Sequence, residues 1–192
     1  MNNKRIASEL NRVAKTLVSS KGVANTAGEY KNFTGTIEWK GSQGQVRNAT
    51  FELKRYDIVW KSGTWENGIW GGGKWENGDW KNGTWENGIW EGGTWRGGTW
   101  KYGIWYAGNW KSGTWENGTW DGGIWYAGLW KSGRWENGIW KDGTWENGLW
   151  WDGHWWGGTW ERGWWHGGIW KSGKDKHGVE RTDNPDNWNE QK

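Results

Sequence analysis

The 192-residue chain has no cysteine, a single proline and only two phenylalanines, and its leucine, isoleucine and valine are sparse. The lack of cysteine excludes disulfides and thiolate metal sites. The shortage of aliphatic side chains leaves no material for a conventional core. No apolar run approaches the ~20 residues that span a membrane. At the N-terminus, Ile6, Leu10, Val13 and Leu17 are interrupted by Glu9, Asn11, Arg12 and Lys15, unlike the continuous apolar segment of a secretory signal. The expectation is a soluble product without a signal peptide or transmembrane segment.

Charge of one sign is also missing where it would be informative. Residues 60–174 carry 12 basic and 12 acidic side chains, while residues 1–59 hold a net +5 and residues 175–192 a net −2. A nucleic-acid binder is expected to show a basic stripe, and a mimic of DNA would be strongly acidic. The balanced repeat body points to neither, so nucleic acid and membrane are not expected partners.

What the chain has instead is 28 Trp and 36 Gly. Abundant Gly with low hydrophobicity would read as disorder, were it not for regularly spaced aromatic residues. From Trp60 to Trp170 a Trp stands at every fifth position, 23 in all, and each is followed three residues later by Gly, from Gly63 to Gly173. A five-residue period fits neither a helix nor a long strand. It fits short strand segments joined by a bend in every unit. In Gly63-Thr64-Trp65-Glu66-Asn67, alternation points Gly63 and Trp65 inward and Thr64 and Glu66 outward. The residues before Gly are turn formers, with Asn-Gly at Asn67, Asn77, Asn82, Asn87, Asn117, Asn137 and Asn147. Gly beside an indole also leaves room that a Cβ would fill.

The fold class expected is therefore all-β, a β-solenoid with a Trp-stacked core and a short N-terminal α-helix. Residues 105–124 and 125–144 agree at 6 of 12 variable positions, as do 60–79 and 80–99, whereas a 15-residue shift agrees far less. This favours a four-sided coil of ~20 residues; with coils ~4.8 Å apart, fewer than six would make a rod under about 30 Å. Residues 1–20 are read as an amphipathic helix with Ile6, Leu10, Val13 and Leu17 as a docking stripe. Residues 21–32 are read as a linker, 33–59 as an irregular β-cap or first coil, and 175–192 as a flexible polar tail with Trp188 as its one anchor.

The Gly-x-Trp spacing resembles that of the pentapeptide-repeat proteins, with Gly in place of the small residue and Trp in place of the central Leu or Phe. That resemblance implies a quadrilateral β-helix. Some members protect DNA gyrase by imitating DNA, a role the neutral solenoid does not support. The Trp-x-x-Gly-x array, with the leading segment MNNKRIASELNRVAKTLVSS, also looks like repeats in hypothetical proteins of tailed phages. This implies a virion or host-cytoplasm setting. Choline-binding repeats share Trp, Tyr, Gly and a 20-residue period but lack a Trp at every fifth residue.

No catalytic, cofactor or metal site is expected. His154, His166 and His177 have no third ligand at metal spacing. Glu66, Glu86 and Glu146 form a solvated row, with Lys61, Lys81, Lys101 and Lys141 on another face. Gly71–Gly73 lacks the Lys-Ser/Thr and helix of a phosphate loop. The informative residues are the extra aromatics. Tyr106 and Tyr126, 20 apart, should stack on one face. Trp151, Trp156 and Trp164 fall outside the five-residue register and should point outward. These five form the candidate ligand or partner surface.

The expected function is a non-enzymatic, phage-associated structural or interaction protein, with a virion protein or a second copy as partner. The alternatives are a glycan- or small-ligand-binding solenoid that uses these aromatics and, further off, an ice-binding face built on Thr64, Thr84, Thr94 and Thr114 or a gyrase-interacting protein.

Overall fold

A unit with one inward side chain in five makes a single short strand and then has to turn. The computed structural model describes residues 32–188 apart from 42–43 and 55–56, with side chains from Val59 onward. The helix expected over 1–20, with Ile6, Leu10, Val13 and Leu17, lies outside the described residues, as does all but the last residue of the expected linker.

Strands β1 (Asn32–Gly41) and β2 (Gly44–Lys54) form an antiparallel hairpin, and β2 pairs antiparallel with β3 (Asp57–Trp70). Twenty two-residue strands follow, from β4 (Lys74–Trp75) to β23 (Ile169–Trp170). Every one is parallel to the strand three units before it: Trp60 pairs with Trp75, Trp65 with Trp80 and Trp70 with Trp85. The ladder bonds repeat with the same step, as where the Glu76 N–H donates to the Trp60 carbonyl at 2.8 Å and the Ile89 N–H to the Gly73 carbonyl at 2.9 Å.

The fold is thus an all-β parallel β-solenoid with a stacked Trp core. Its coil is made of three five-residue units, one per side, not the four that internal similarity favoured. About eight coils are made, which at ~4.8 Å each gives a rod of roughly 38 Å. Two physical reasons support three sides. The first is filling. Trp120 stacks on Trp105 and Trp135 at 4.8 Å between ring centroids and 6° between planes. It also meets Trp115 and Trp125 edge to face at 6.0 Å. Three indoles per coil close the section by the offset and T-shaped contacts aromatic rings favour. A fourth side would open a gap that no other side chain is available to fill.

The second reason is charge on the third face, where Glu86, Lys101, Glu116, Lys131 and Glu146 alternate at the three-unit step. Higher on the other two faces that step stacks like charges, as at Glu76 and Glu91 or Lys81 and Arg96. A three-unit step sets Lys61 against Glu76 at 2.7 Å, Glu66 against Lys81 at 3.1 Å and Glu86 against Lys101 at 3.1 Å. A four-unit step would stack Lys61 on Lys81 on Lys101, and Glu66 on Glu86. The duplicated four-unit block is one coil plus one side, so each copy of it is turned onto the next face.

The corners explain the invariant glycine. Gly138 has φ of 125°, in the region L side chains avoid. A Cβ there would lie 2.6 Å from the Gly123 carbonyl oxygen one coil below and 3.2 Å from the Trp120 indole nitrogen. The Asn before it serves the turn through its side chain: Asn137 Oδ1 accepts from the Gly138 N–H at 2.6 Å. Asp142 does the same for Gly143 at 2.8 Å. The indole N–H edges point toward these corners. Trp140, Trp145 and Trp150 donate to the carbonyls of Gly157, Arg162 and Gly167 at 3.1 Å.

Both ends are closed. At the first coil, β2 supplies partners to the edge of β3 and β1 pairs on the far side of β2, so the first coil is capped by a hairpin. At the last coil, β24 (Gly173–Lys174) pairs antiparallel with β25 (Glu180–Arg181), and a 3₁₀ turn over Pro185–Asn187 brings Trp188 edge-on to Trp170 at 5.4 Å. The described part of the segment expected to be a flexible tail is therefore folded as a cap. Asp175, buried, holds it together by accepting from the His177 and Val179 N–H groups at 2.9 and 3.0 Å and from Arg181 Nη2 at 2.7 Å. Burial pushes its carboxyl up, but the hydrogen bonds from Val179, Arg181 and His177 together outweigh this and hold it below the usual carboxylate range. Among the described residues, no helix is long and apolar enough to cross a membrane.

Candidate interaction surface

The lumen is packed with indoles from end to end, so any chemistry belongs to the outer wall. Each side shows two outward columns, one from the residue before Trp and one from the residue after it. The first face is the Trp60 side, the second the Trp65 side and the third the Trp70 side.

Tyr106 and Tyr126 do not share a face. The three-unit coil puts Tyr106 on the first face and Tyr126 on the second. Trp151 stands three coils above Tyr106 in the same column, and Trp156 two coils above Tyr126. Tyr126 is only half-exposed, because Lys111 Nζ lies 3.4 Å and Lys141 Nζ 4.7 Å from its ring centroid. Tyr106 is 44% exposed. Trp151 is covered in part by an edge contact to His166 at 4.5 Å and by the Arg134 guanidinium at 4.8 Å, leaving 37% exposed. Trp156 and Trp164 are the open ones, at 51% and 78%. The five aromatics are therefore spread over two faces.

Tyr102, 56% exposed, belongs with them, and sequence reasoning missed it. It occupies a corner position where neighbouring coils carry Asn117, Ser132 and Asn147, and an aromatic among turn formers was the available signal. This corner column and the column holding Thr119, Arg134, Leu149 and Trp164 form the two banks of a surface groove of about 460 Å³. Tyr102 and Trp164 stand at opposite ends of it, four coils apart.

The wrap also sorts the charges. On the first face the after-Trp column starts at Lys61 and then holds Glu76, Glu91, Asp121 and Glu136. On the second face the equivalent column starts at Glu66 and then holds Lys81, Arg96, Lys111, Lys141 and Lys171. On the third face the signs alternate from Glu86 to Lys101, Glu116 and Lys131. The expectation of one carboxylate row and one lysine row is corrected accordingly: Glu66 stands below Lys81, Glu86 below Lys101, and Lys61 below Glu76. Lys61, hydrogen-bonded to Glu76, holds that carboxyl below its usual range against a smaller burial penalty. Arg96 pairs with Asp79 at 3.0 Å, and Arg134 with Glu136.

The threonines are sorted too. Thr84, Thr99, Thr114, Thr144 and Thr159 form one column of the third face, whereas Thr64 and Thr94 lie on the second. Leu129 interrupts that column and a charged column flanks it, so no uninterrupted flat threonine array exists among the described residues. Comparison with protein-family models, curated proteins and solved structures finds no match to this chain.

Proposed function

We propose that the chain is a non-enzymatic structural or interaction protein, a rigid solenoid that offers its outer wall to a partner. One observation carries this reading: Trp156 and Trp164 stand in the solvent at 51% and 78% exposure, whereas the core-register rings from Trp60 to Trp165 are buried. Large exposed rings are costly on a monomer surface and are favoured anchors of protein interfaces. The resemblance of the Trp-x-x-Gly-x array to phage repeats makes a virion component the partner to test. The chain is expected in purified virions, and the Trp156→Ser, Trp164→Ser double variant is expected to fold normally and to be depleted there. Virions without the chain contradict the phage setting. Equal incorporation of the variant removes the aromatic surface from the reading.

A second reading is favoured by the groove between Tyr102 and Trp164. Aromatic rings at both ends and amide and hydroxyl groups at Asn117, Ser132 and Asn147 suit an extended glycan, which stacks on rings and hydrogen-bonds through hydroxyls. Binding on a glycan array that is lost in Tyr102→Ala and Trp164→Ala would support it, and a silent array would dismiss it.

A further inference from the structure

Above Lys61 and Glu66, the after-Trp columns of the first and second faces carry opposite charge at identical spacing. We infer that the second face of one copy binds the first face of another with the two axes antiparallel, so that the chain assembles side by side into an open ribbon. This deepens the proposed function by naming a partner, and it rests on that reading only in taking the wall as the working surface.

The geometry follows from the winding. On every face the chain runs in the same sense around the axis. Two faces brought together with parallel axes meet with their columns in reversed order. The basic column of the second face would then lie over the column of the first that holds Lys74 and Arg134. With antiparallel axes the order matches, and the basic column lies over the acidic one.

Both columns step by one coil, so a single alignment sets the whole row. Placing Lys111 over Tyr106 of the neighbouring copy puts Lys81 opposite Glu136, Arg96 opposite Asp121 and Lys141 opposite Glu76. In the adjacent columns the same alignment sets Asp79 opposite Arg134 and Ile124 opposite Ile89. No like charges meet in this register. Asp79 and Lys81 of one copy then face Arg134 and Glu136 of the next, joining two ion pairs into a network. Lys141 and Asp121 make no ion pair among the described residues, so they bring unpaired charge to the contact. Electrostatic matching of this kind selects partner and register.

The contact is heterologous, because it joins two different faces. Each step flips the axis, and two steps restore the first orientation by translation alone. The assembly therefore grows as an open ribbon and does not close.

Sedimentation of the purified full chain tests this. In about 0.05 M salt the mean mass should rise with protein concentration, and near 1 M salt, where the screening length is ~3 Å, it should return to that of a single chain. Lys81→Glu with Lys141→Glu reverses the charge at two of the three second-face ion-pair positions; Glu76→Lys with Glu136→Lys reverses the two positions opposite them on the first face. Each double variant alone should stay monomeric in low salt. An equimolar mixture should associate again, because each reversed face then meets its opposite, and this rescue also shows that both variants are folded. A wild-type chain that is monomeric in low salt, or that instead binds single-stranded DNA as a monomer, overturns the inference. So does association of the single double variants, or a mixture without rescue. A monomer still incorporated into virions would remove the ribbon and leave the proposed function standing.

Discussion

Trp120 is fully buried between Trp105 and Trp135, whereas one residue further on Asp121 stands exposed on the outer wall. From the Trp60 unit to the Trp165 unit a buried ring is followed by an exposed or half-buried residue. In the lumen all positions in a column are alike, because each side chain has to fill the same section of the tube. On the wall each column differs from its neighbours, because nothing but solvent or a partner constrains it. A residue's position in the five-residue unit therefore decides whether a substitution is felt as packing or as recognition.

The sharpest way to break that contrast is to remove one ring. Trp120→Ala deletes contacts to four indoles and leaves a cavity that a stack of rigid rings closes poorly. A loss of roughly 3–5 kcal/mol is expected, read as a drop in the denaturant midpoint by circular dichroism. A loss under ~1 kcal/mol would mean that the rings are not packed as described. Gly138→Ala should come next. It combines a forbidden φ with a Cβ 2.6 Å from the Gly123 carbonyl oxygen. Backbone strain of about 1–3 kcal/mol and overpacking of similar size give an expected loss of roughly 2–4 kcal/mol, checked by the same titration.

The lumen was legible in the sequence because its two requirements, a ring to fill and a gap to turn, are written into every unit from Trp60 to Gly173. The number of sides was not, since five-residue units look the same whether three or four complete a coil. Similarity at a shift of four units reflects how the repeat was copied. On the third face the physical coil shows as charge alternation at a shift of three, from Glu86 through Lys101, Glu116 and Lys131 to Glu146. The candidate surface inherited the error. Tyr106 and Tyr126 seemed to share a face, and the acidic and basic columns were invisible, because both depend on the coil length. Trp151, Trp156 and Trp164 were legible as outward-facing, since leaving the five-residue register needs no knowledge of the number of sides.

The cap lies between lumen and wall, and its response should depend on pH. The folded-state acidity of Asp175 is raised, its pKa lying below the ordinary value. Its contribution to stability is therefore present in full above the unfolded pKa of ~3.9 and is lost as pH falls through the lower folded value. Asp175→Asn should lower the thermal midpoint at neutral pH and converge on the wild type in strong acid. A pH-independent difference would mean that the carboxylate charge is not what holds His177, Val179 and Arg181 in place.

The smallest effect is expected on the wall. Glu86 and Lys101 pair at 3.1 Å with side chains 39% and 45% exposed, so solvent screens them, and a double-mutant cycle should return a coupling of about 0.5 kcal/mol or less. The pair nonetheless bears on the coil. The lumen favours three sides only through how well the rings fill it, since every unit offers the same ring. The wall adds to this on the third face, where Glu86, Lys101, Glu116, Lys131 and Glu146 alternate in sign from coil to coil. Reversing Lys101, Lys81 and Lys131 to Glu together should therefore cost more than three times the single substitution, because Glu66, Glu86 and Glu116 would then face like charge on neighbouring coils. Strict additivity in the denaturant midpoint would assign the choice of coil to the indoles alone.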